Sequence, residues 1–168
     1  MEYFFSTAAV PEYPFVLFGW LHLVMALWVA LFAWIVIRTG MRADEKLRQR
    51  LRWLLIFFFL IWEIEWQAWH IVTDTWTLQK NLPLQLCSIM VWVSIWGLWT
   101  RKPIVMAFMY FLGIAGAIQA LITPDATYAF PHFRFMNTWF SHSLIVTSGF
   151  WVVFVERYRP SLKDMWKS

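Results

Sequence analysis

One cysteine and one distant histidine are the residue pair best suited to nucleophilic chemistry in this chain. A thiol beside an imidazole can ionise, and the thiolate is the nucleophile for acyl chemistry. Cys87 is the single cysteine among 168 residues, which excludes an intramolecular disulfide and a cysteine-rich metal site. His142 falls within a later apolar run. The alternative for Cys87 is ordinary packing, because a free cysteine usually behaves as a small buried hydrophobe.

A second set of polar residues repeats with helical spacing. Glu63, Gln67 and His70 follow an i, i+4, i+7 pattern on one helix face, while Glu65 points roughly the opposite way. An ionisable side chain inside a bilayer costs roughly 3 kcal/mol or more, so we expect the stripe to face the interior of a bundle. It could form a functional site or only hydrogen bonds between helices, and both interpretations stay open. We expect Glu65 to be structural.

The other candidates lie near the outer ends of the predicted helices. His132 and Arg134 belong to a proline-containing aromatic segment that could cap a pocket at the level of the lipid headgroups and bind a lipid phosphate. An interfacial aromatic belt is the alternative for this segment. The residues that we predict to bind substrate are Gln85, Gln119, His132, Arg134, Glu63, His70 and His22. For Gln119 we favour a structural role.

Metal binding and cofactors find little support in these residues. Glu63 and His70 are about 10 Å apart along one helix, which is too far to share an ion directly. Ligands from several helices would be needed for such a site. We therefore predict neither a metal nor a cofactor.

The composition sets the environment in which these residues must work. The chain is 61% hydrophobic, with 14 Trp and 16 Phe, and 14% of its residues are charged. A soluble domain of this size could not bury so much apolar surface, and disordered chains lack such residues. The sequence therefore predicts an all-α, polytopic integral membrane protein that forms a single domain in contact with membrane lipids.

Five apolar runs are long enough to cross the hydrocarbon as helices. We place them at residues 15–37, 53–72, 83–99, 103–122 and 136–155. Asn81 and Pro83 predict the start of the third helix, which would put Cys87 about one turn inside it. The pairs Gly113 with Ala117 and Gly116 with Ala120 predict close helix packing in the fourth run.

The distribution of Lys and Arg indicates the orientation. The segment from 38 to 52 and the two other loops of the same side carry 12 of these residues, whereas the opposite side carries 2. The N-terminus is therefore expected outside and the C-terminus in the cytoplasm. We expect residues 38–52 to extend the helices with Asp44 and Glu45 as a solvated face. The excess of basic over acidic residues then reflects the membrane topology, and we expect no nucleic acid partner.

The first run is too long for a cleaved signal peptide and lacks preceding Lys or Arg, so we expect it to remain in the mature protein. The richness in tryptophan and the lack of targeting signals favour a bacterial plasma membrane.

Three ordered motifs resemble those of a known family. They read LPLQLCS over residues 82–88, GIAGAIQALITPD over 113–125, and FPHF over 130–133 followed by FSHS over 140–143. The set is similar to that of the YwaF-type bacterial integral membrane proteins, and it covers residues 82 to about 159. Those proteins are in turn similar to a eukaryotic transmembrane family reported to act as cysteine-type acyltransferases on ether-linked phospholipids.

The resemblance implies a catalytic pair. The motif cysteine and a downstream histidine of that family correspond to Cys87 and His142. Cys87 would take an acyl group from a phospholipid, His142 would act as general base, and the acyl group would pass to a lysolipid or to water. Gln85 stands where many relatives carry His. Those relatives continue for two more spans. This leaves open a short family member, a truncated one, or a site completed by a homo-oligomer or a partner membrane chain.

Two rival functions use the same residues differently. In a solute or proton transport module, Glu63, His70, His22 and His142 form the site and Cys87 only packs. In a structural subunit of a membrane complex, the polar stripe only holds helices together. Loss of function in Cys87→Ala would favour the acyl-transfer hypothesis, and loss in Glu63→Gln alone would favour transport.

Overall fold

The computed structural model describes residues 3–7, 15–82, 85–124 and 128–159, and these are helices joined by short connections. The described residues contain no strand, which confirms the all-α prediction. A six-residue π-helical segment, Met109–Ile114, joins α5 to α6 without interruption and is called the π segment below. The helices are α1 (Trp20–Arg42), α2 (Glu45–Val72), α3 (Leu78–Asn81), α4 (Leu86–Thr100), α5 (Pro103–Phe108), α6 (Ala115–Ile122) and α7 (Phe133–Phe154).

Among the described residues, three helical units are long and apolar enough to cross a membrane by length and composition. They are α1, α2 and the continuous unit Pro103–Ile122, whereas α4 is apolar but shorter. α7 is long enough, at 22 residues, but carries several polar residues in its N-terminal half. Five spans with a defined orientation therefore remain a prediction.

A two-residue connection joins α1 to α2 at the predicted inner side, while α1 packs mainly against α7. Only Ala43 and Asp44 separate the two helices, so most of the basic segment 38–52 is helical. The Asp44 carboxylate accepts a hydrogen bond from the Leu47 amide at 2.8 Å and caps α2. We expected Asp44 and Glu45 to form a solvated face, and Asp44 has the additional role of capping α2.

The same inner end is closed by an ion-pair network around Arg52. Arg52 is buried, with 6% of the residue exposed. Its guanidinium contacts Glu156, which follows α7, at 2.8 Å and Glu45 at 3.0 Å. Trp151 also donates its indole N–H to Glu156 at 2.9 Å. The network connects the beginning of α2 to the end of α7.

α4 and α7 run parallel through the centre of the bundle. Ser148 donates its hydroxyl to Ser94 at 3.3 Å, and both side chains are fully buried. One turn earlier on each helix, Met90 and Ile145 both approach Gly113. Because the paired positions advance in the same direction on both helices, residues at equal distances before Ser94 and Ser148 lie at similar depth.

The start of α4 differs from the sequence prediction. Asn81 does not cap α4; it ends α3, and its side-chain oxygen accepts from the Thr77 amide at 3.0 Å. Pro83 lies outside the described residues. α4 begins at Leu86 after Gln85, which makes no side-chain cap bond. Cys87 is consequently the second residue of α4 rather than about one turn inside it.

Candidate functional site

A cavity of about 640 Å³ lies between α2, α4 and α7 in the predicted outer half of the protein. Most of the chemically active residues singled out in the sequence line it, together with aromatic and aliphatic side chains. The lining residues are Thr7, Phe59, Trp62, Glu63, Trp66, Trp69, His70, Thr75, Gln85, Cys87, Ser88, Val91, Ala120, Tyr128, Arg134, Asn137, Thr138, Ser141, His142 and Ile145.

Helical periodicity explains why these side chains converge. On α2 the lining positions are 59, 62, 63, 66, 69 and 70, and on α7 they are 134, 137, 138, 141, 142 and 145. Both sets repeat every three or four residues, so each forms one stripe on its helix. Glu65 lies off the stripe and is exposed, as the helical period predicts.

Cys87 and His142 lie at nearly the same depth. Cys87 is seven residues before Ser94 on α4, and His142 is six residues before Ser148 on α7. At 1.5 Å per residue these offsets are roughly 10 and 9 Å from the bonded serine pair. Both side chains line the same cavity.

The hydrogen bond of the His142 ring determines which nitrogen can act as a base. Its Nδ1 lies 2.7 Å from the backbone oxygen of Thr138, one turn earlier on α7. A carbonyl oxygen only accepts, so Nδ1 carries the proton and donates it. In the neutral ring Nε2 therefore holds the lone pair. The imidazole is thus oriented by its own helix and has a nitrogen available for proton transfer.

Cys87 occupies the first turn of α4. The amide groups of a helix N-terminus favour a negative charge nearby, whereas partial burial among apolar side chains disfavours it. Cys87 is half-buried, and among the described residues its sulfur makes no hydrogen bond. The thiol is therefore accessible from the cavity and has no protein partner that would hold it in another orientation.

Arg134 lies in the first turn of α7 and lines the cavity there. Its guanidinium lies 5.0 Å from the ring centroid of Tyr128 and 5.7 Å from that of Trp66. A cation–π contact acts through the charge of the guanidinium and does not occupy the hydrogen-bond donors at its N–H edges. Within the described part of the chain its side chain forms no ion pair or hydrogen bond, so those edges can bind an anion.

Three predicted binding residues, His22, Gln119 and His132, are not among the residues that line the cavity. His22 is buried beside a separate apolar groove, where it accepts from the Phe18 amide and donates to the Leu121 carbonyl, both at 2.9 Å. Gln119 is exposed and contacts Thr123. Neither side chain lines the cavity.

His132 is a structural link between α7 and the N-terminal residues. It is fully buried, its Nδ1 accepts from the Arg134 amide at 3.1 Å, and its Nε2 lies 2.9 Å from the Ser6 carbonyl. Burial lowers the pKa of His132; the bond to Ser6 opposes this shift and the nearby Arg134 charge adds to it. His132 therefore caps α7 and attaches residues 3–7 to the N-terminal end of the helix that carries Arg134.

Sequence reasoning overlooked several polar residues of the cavity. Asn137, Thr138 and Ser141 line it from α7, and the Asn137 amide donates to the Trp62 carbonyl at 3.3 Å. Their spacing with Arg134 could have revealed a polar stripe similar to that on α2. No group of three or more His, Cys, Asp and Glu side chains within the described ranges could hold a metal ion.

Comparison with known proteins identifies the family. The model of the TMEM164 family matches residues 17–168. The chain belongs to the TMEM164 family. This is a membrane protein family, and with several apolar helices the chain is an integral, multi-pass membrane protein in contact with lipids. Neither the curated proteins nor the solved structures that were compared gave a match.

Proposed function

We propose that this protein is a membrane-embedded acyltransferase or acyl hydrolase that uses Cys87 as nucleophile and His142 as general base. One observation carries the proposal: both side chains line the same cavity at similar depth, with Nδ1 of His142 bonded to Thr138. This bond leaves Nε2 for the thiol proton. The resemblance to the YwaF-type proteins and to cysteine-type acyltransferases supports the same assignment.

The chemistry follows the usual course of nucleophilic catalysis. His142 takes the proton of Cys87, and the thiolate attacks the carbonyl carbon of an acyl ester. A C–S bond forms, the ester C–O bond breaks, and the leaving oxygen takes the proton from His142. The acyl group then passes from sulfur to the hydroxyl of a lysolipid or to water.

The cavity has a polarity gradient that suits a lipid ester. Arg134 lies at the outer end, the reactive pair lies deeper, and Phe59, Val91 and Ile145 form an apolar lining. In this proposal Arg134 binds the phosphate and the apolar lining receives the beginning of the acyl chain. Gln85, His70 and Glu63 supply further polar contacts from the wall.

The proposal includes a topology. The protein crosses the membrane five times, with the N-terminus outside, and the cavity opens toward the outer leaflet. The excess of Lys and Arg on the opposite side supports this orientation. The proposed location is a bacterial plasma membrane.

The direct test is lipid turnover combined with mass spectrometry. Protein in nanodiscs is incubated with phosphatidylcholine, and the mass of the peptide that contains Cys87 is measured after acid quenching. We expect an acyl adduct on this peptide and loss of turnover in Cys87→Ala. Ser88→Ala, the neighbouring substitution in the same cavity, is the matched control and should retain activity.

A second function is favoured by one observation: Glu63 and His70 line the same cavity and could move a proton or bind a solute. In that case Cys87→Ala would leave function intact, and no acyl adduct would form. The same experiment therefore separates the two functions.

A further inference from the structure

Glu63 lies in the cavity wall near the level of Cys87 and His142. The preceding residue, Trp62, accepts a hydrogen bond from Asn137 on α7 and stacks on Phe140 at 4.8 Å between centroids. These contacts place Glu63 opposite the part of α7 that carries the imidazole. A carboxylate at this depth in a bilayer is costly, and such residues usually serve a function.

The Glu63 carboxylate is held at one oxygen. Gln67 Nε2 donates to Oε1 at 2.9 Å, and no other hydrogen bond or ion pair of Glu63 occurs in the described part of the chain. The second oxygen, Oε2, therefore remains for a molecule in the cavity.

The network around Gln67 determines the direction of this bond. The Trp76 indole can only donate, and it donates to Gln67 Oε1 at 2.9 Å. Nε2 must therefore be the atom that faces Glu63, and it also donates to the Asn81 carbonyl at 3.2 Å. The connection between α2 and α4 thus holds Gln67, and Gln67 holds Glu63.

Glu63 is not the group that orients the catalytic imidazole. In a Ser–His–Asp arrangement the carboxylate accepts the proton of Nδ1. Here the Thr138 carbonyl already occupies Nδ1 of His142 at 2.7 Å. The carboxylate is consequently left for a different proton.

We propose that Glu63 is the proton acceptor for the second half of the reaction; this inference rests on the proposed function. The acyl group is then a thioester on Cys87 and His142 is neutral. As the acceptor hydroxyl attacks the thioester, its proton moves to Oε2 of Glu63, a C–O bond forms and the C–S bond breaks. Glu63 passes the proton to His142, which restores the thiolate and the imidazolium.

The test separates formation of the thioester from its decay. Wild-type protein, Glu63→Gln and Glu65→Gln in nanodiscs receive phosphatidylcholine with a fluorescent acyl chain and lysophosphatidylcholine as acceptor. We expect Glu63→Gln to accumulate acylated Cys87 while turnover falls about 100-fold, the usual size of a lost general base. Glu65→Gln removes the same charge from the exposed face of α2 and should behave as wild type.

Two further measurements distinguish a lost proton acceptor from misfolding of Glu63→Gln. Hydroxylamine attacks a thioester without help from a base, so it should release the acyl group from Glu63→Gln as fast as from wild type. Glu63→Asp keeps the carboxylate and should recover part of the turnover.

Each other outcome has a definite meaning. Turnover of Glu63→Gln at the wild-type rate would overturn the inference and leave the proposed function intact. Failure of Glu63→Gln to form acylated Cys87 would also overturn it, since Glu63 would then act in the first step. A wild-type protein that neither becomes acylated nor turns over lipid would overturn the proposed function itself.

Discussion

The approach of α7 to the π segment depends on Gly149, and replacing it with alanine tests how the site is positioned. A Cβ atom there would lie 2.5 Å from Ile114 Cγ1 and 2.9 Å from the Met109 backbone oxygen. The backbone oxygen cannot rotate away, so α7 must move. Gly149 follows Ser148, whose bond to Ser94 aligns α7 with α4.

The magnitude follows from two opposing effects. Overpacking costs about 1–3 kcal/mol, and alanine stabilises a helix interior by about 0.5–1 kcal/mol relative to glycine. We expect Gly149→Ala to lower the free energy of unfolding by about 1–2 kcal/mol. Gly116→Ala is the matched control, because its Cβ would meet only the Leu86 side chain, at 3.1 Å. That side chain can rotate, so the control should lose nothing.

The assay is equilibrium unfolding in mixed micelles followed by tryptophan fluorescence. Equal stability of Gly149→Ala and wild type would refute the close approach of α7 and the π segment. An equal loss in both glycine variants would refute the distinction between a backbone contact and a side-chain contact.

The remaining predictions concern charged groups at the two ends of the protein. Glu156→Gln should lower the free energy of unfolding by about 3 kcal/mol, because it leaves the buried Arg52 with only an exposed partner. The control Arg101→Gln breaks a surface ion pair and should change the free energy of unfolding little. Equal losses for the two variants in the same unfolding assay would contradict this prediction. Burial lowers the pKa of His132 in the folded protein. Its contribution to the free energy of unfolding should therefore be complete above the ordinary pKa of about 6.5, and it should be lost as the pH falls through the pKa of the folded state. Hydrogen exchange at residues 3–7 should accelerate over that range, and exchange independent of pH after correction for the intrinsic rate would contradict it.

The sequence was sufficient for the parts of the fold that depend on local patterns. Uncharged apolar runs predicted the helical segments, and the 3.6-residue period placed Glu63 and His70 on one face and Glu65 on the other. The spacing could not predict that Asn81 would end α3 instead of capping α4. Its side-chain oxygen accepts from the Thr77 amide, and this contact exists only when α3 is folded.

Local sequence patterns could not predict the contacts between segments that are far apart in the chain. His22 looked like a binding residue, yet its Nε2 donates to the Leu121 carbonyl, 99 positions later in the chain. The small residues at Gly113 and Gly116 predicted close packing, but a Cβ at Gly149 would meet closer neighbours than one at either position. Which glycine faces a backbone depends on the register between helices, and no local pattern encodes it.

The measurement that tests the central claim most directly is the alkylation rate of Cys87 in nanodiscs. The chain has one cysteine, so iodoacetamide reports on a single thiol. Since the thiolate is the reactive form, we expect wild-type protein at pH 7.5 to react at least about tenfold faster than His142→Ala. His70→Ala removes the other cavity imidazole and should leave the rate unchanged. A thiol that does not react, or that reacts equally fast with and without His142, would contradict the Cys87–His142 pair.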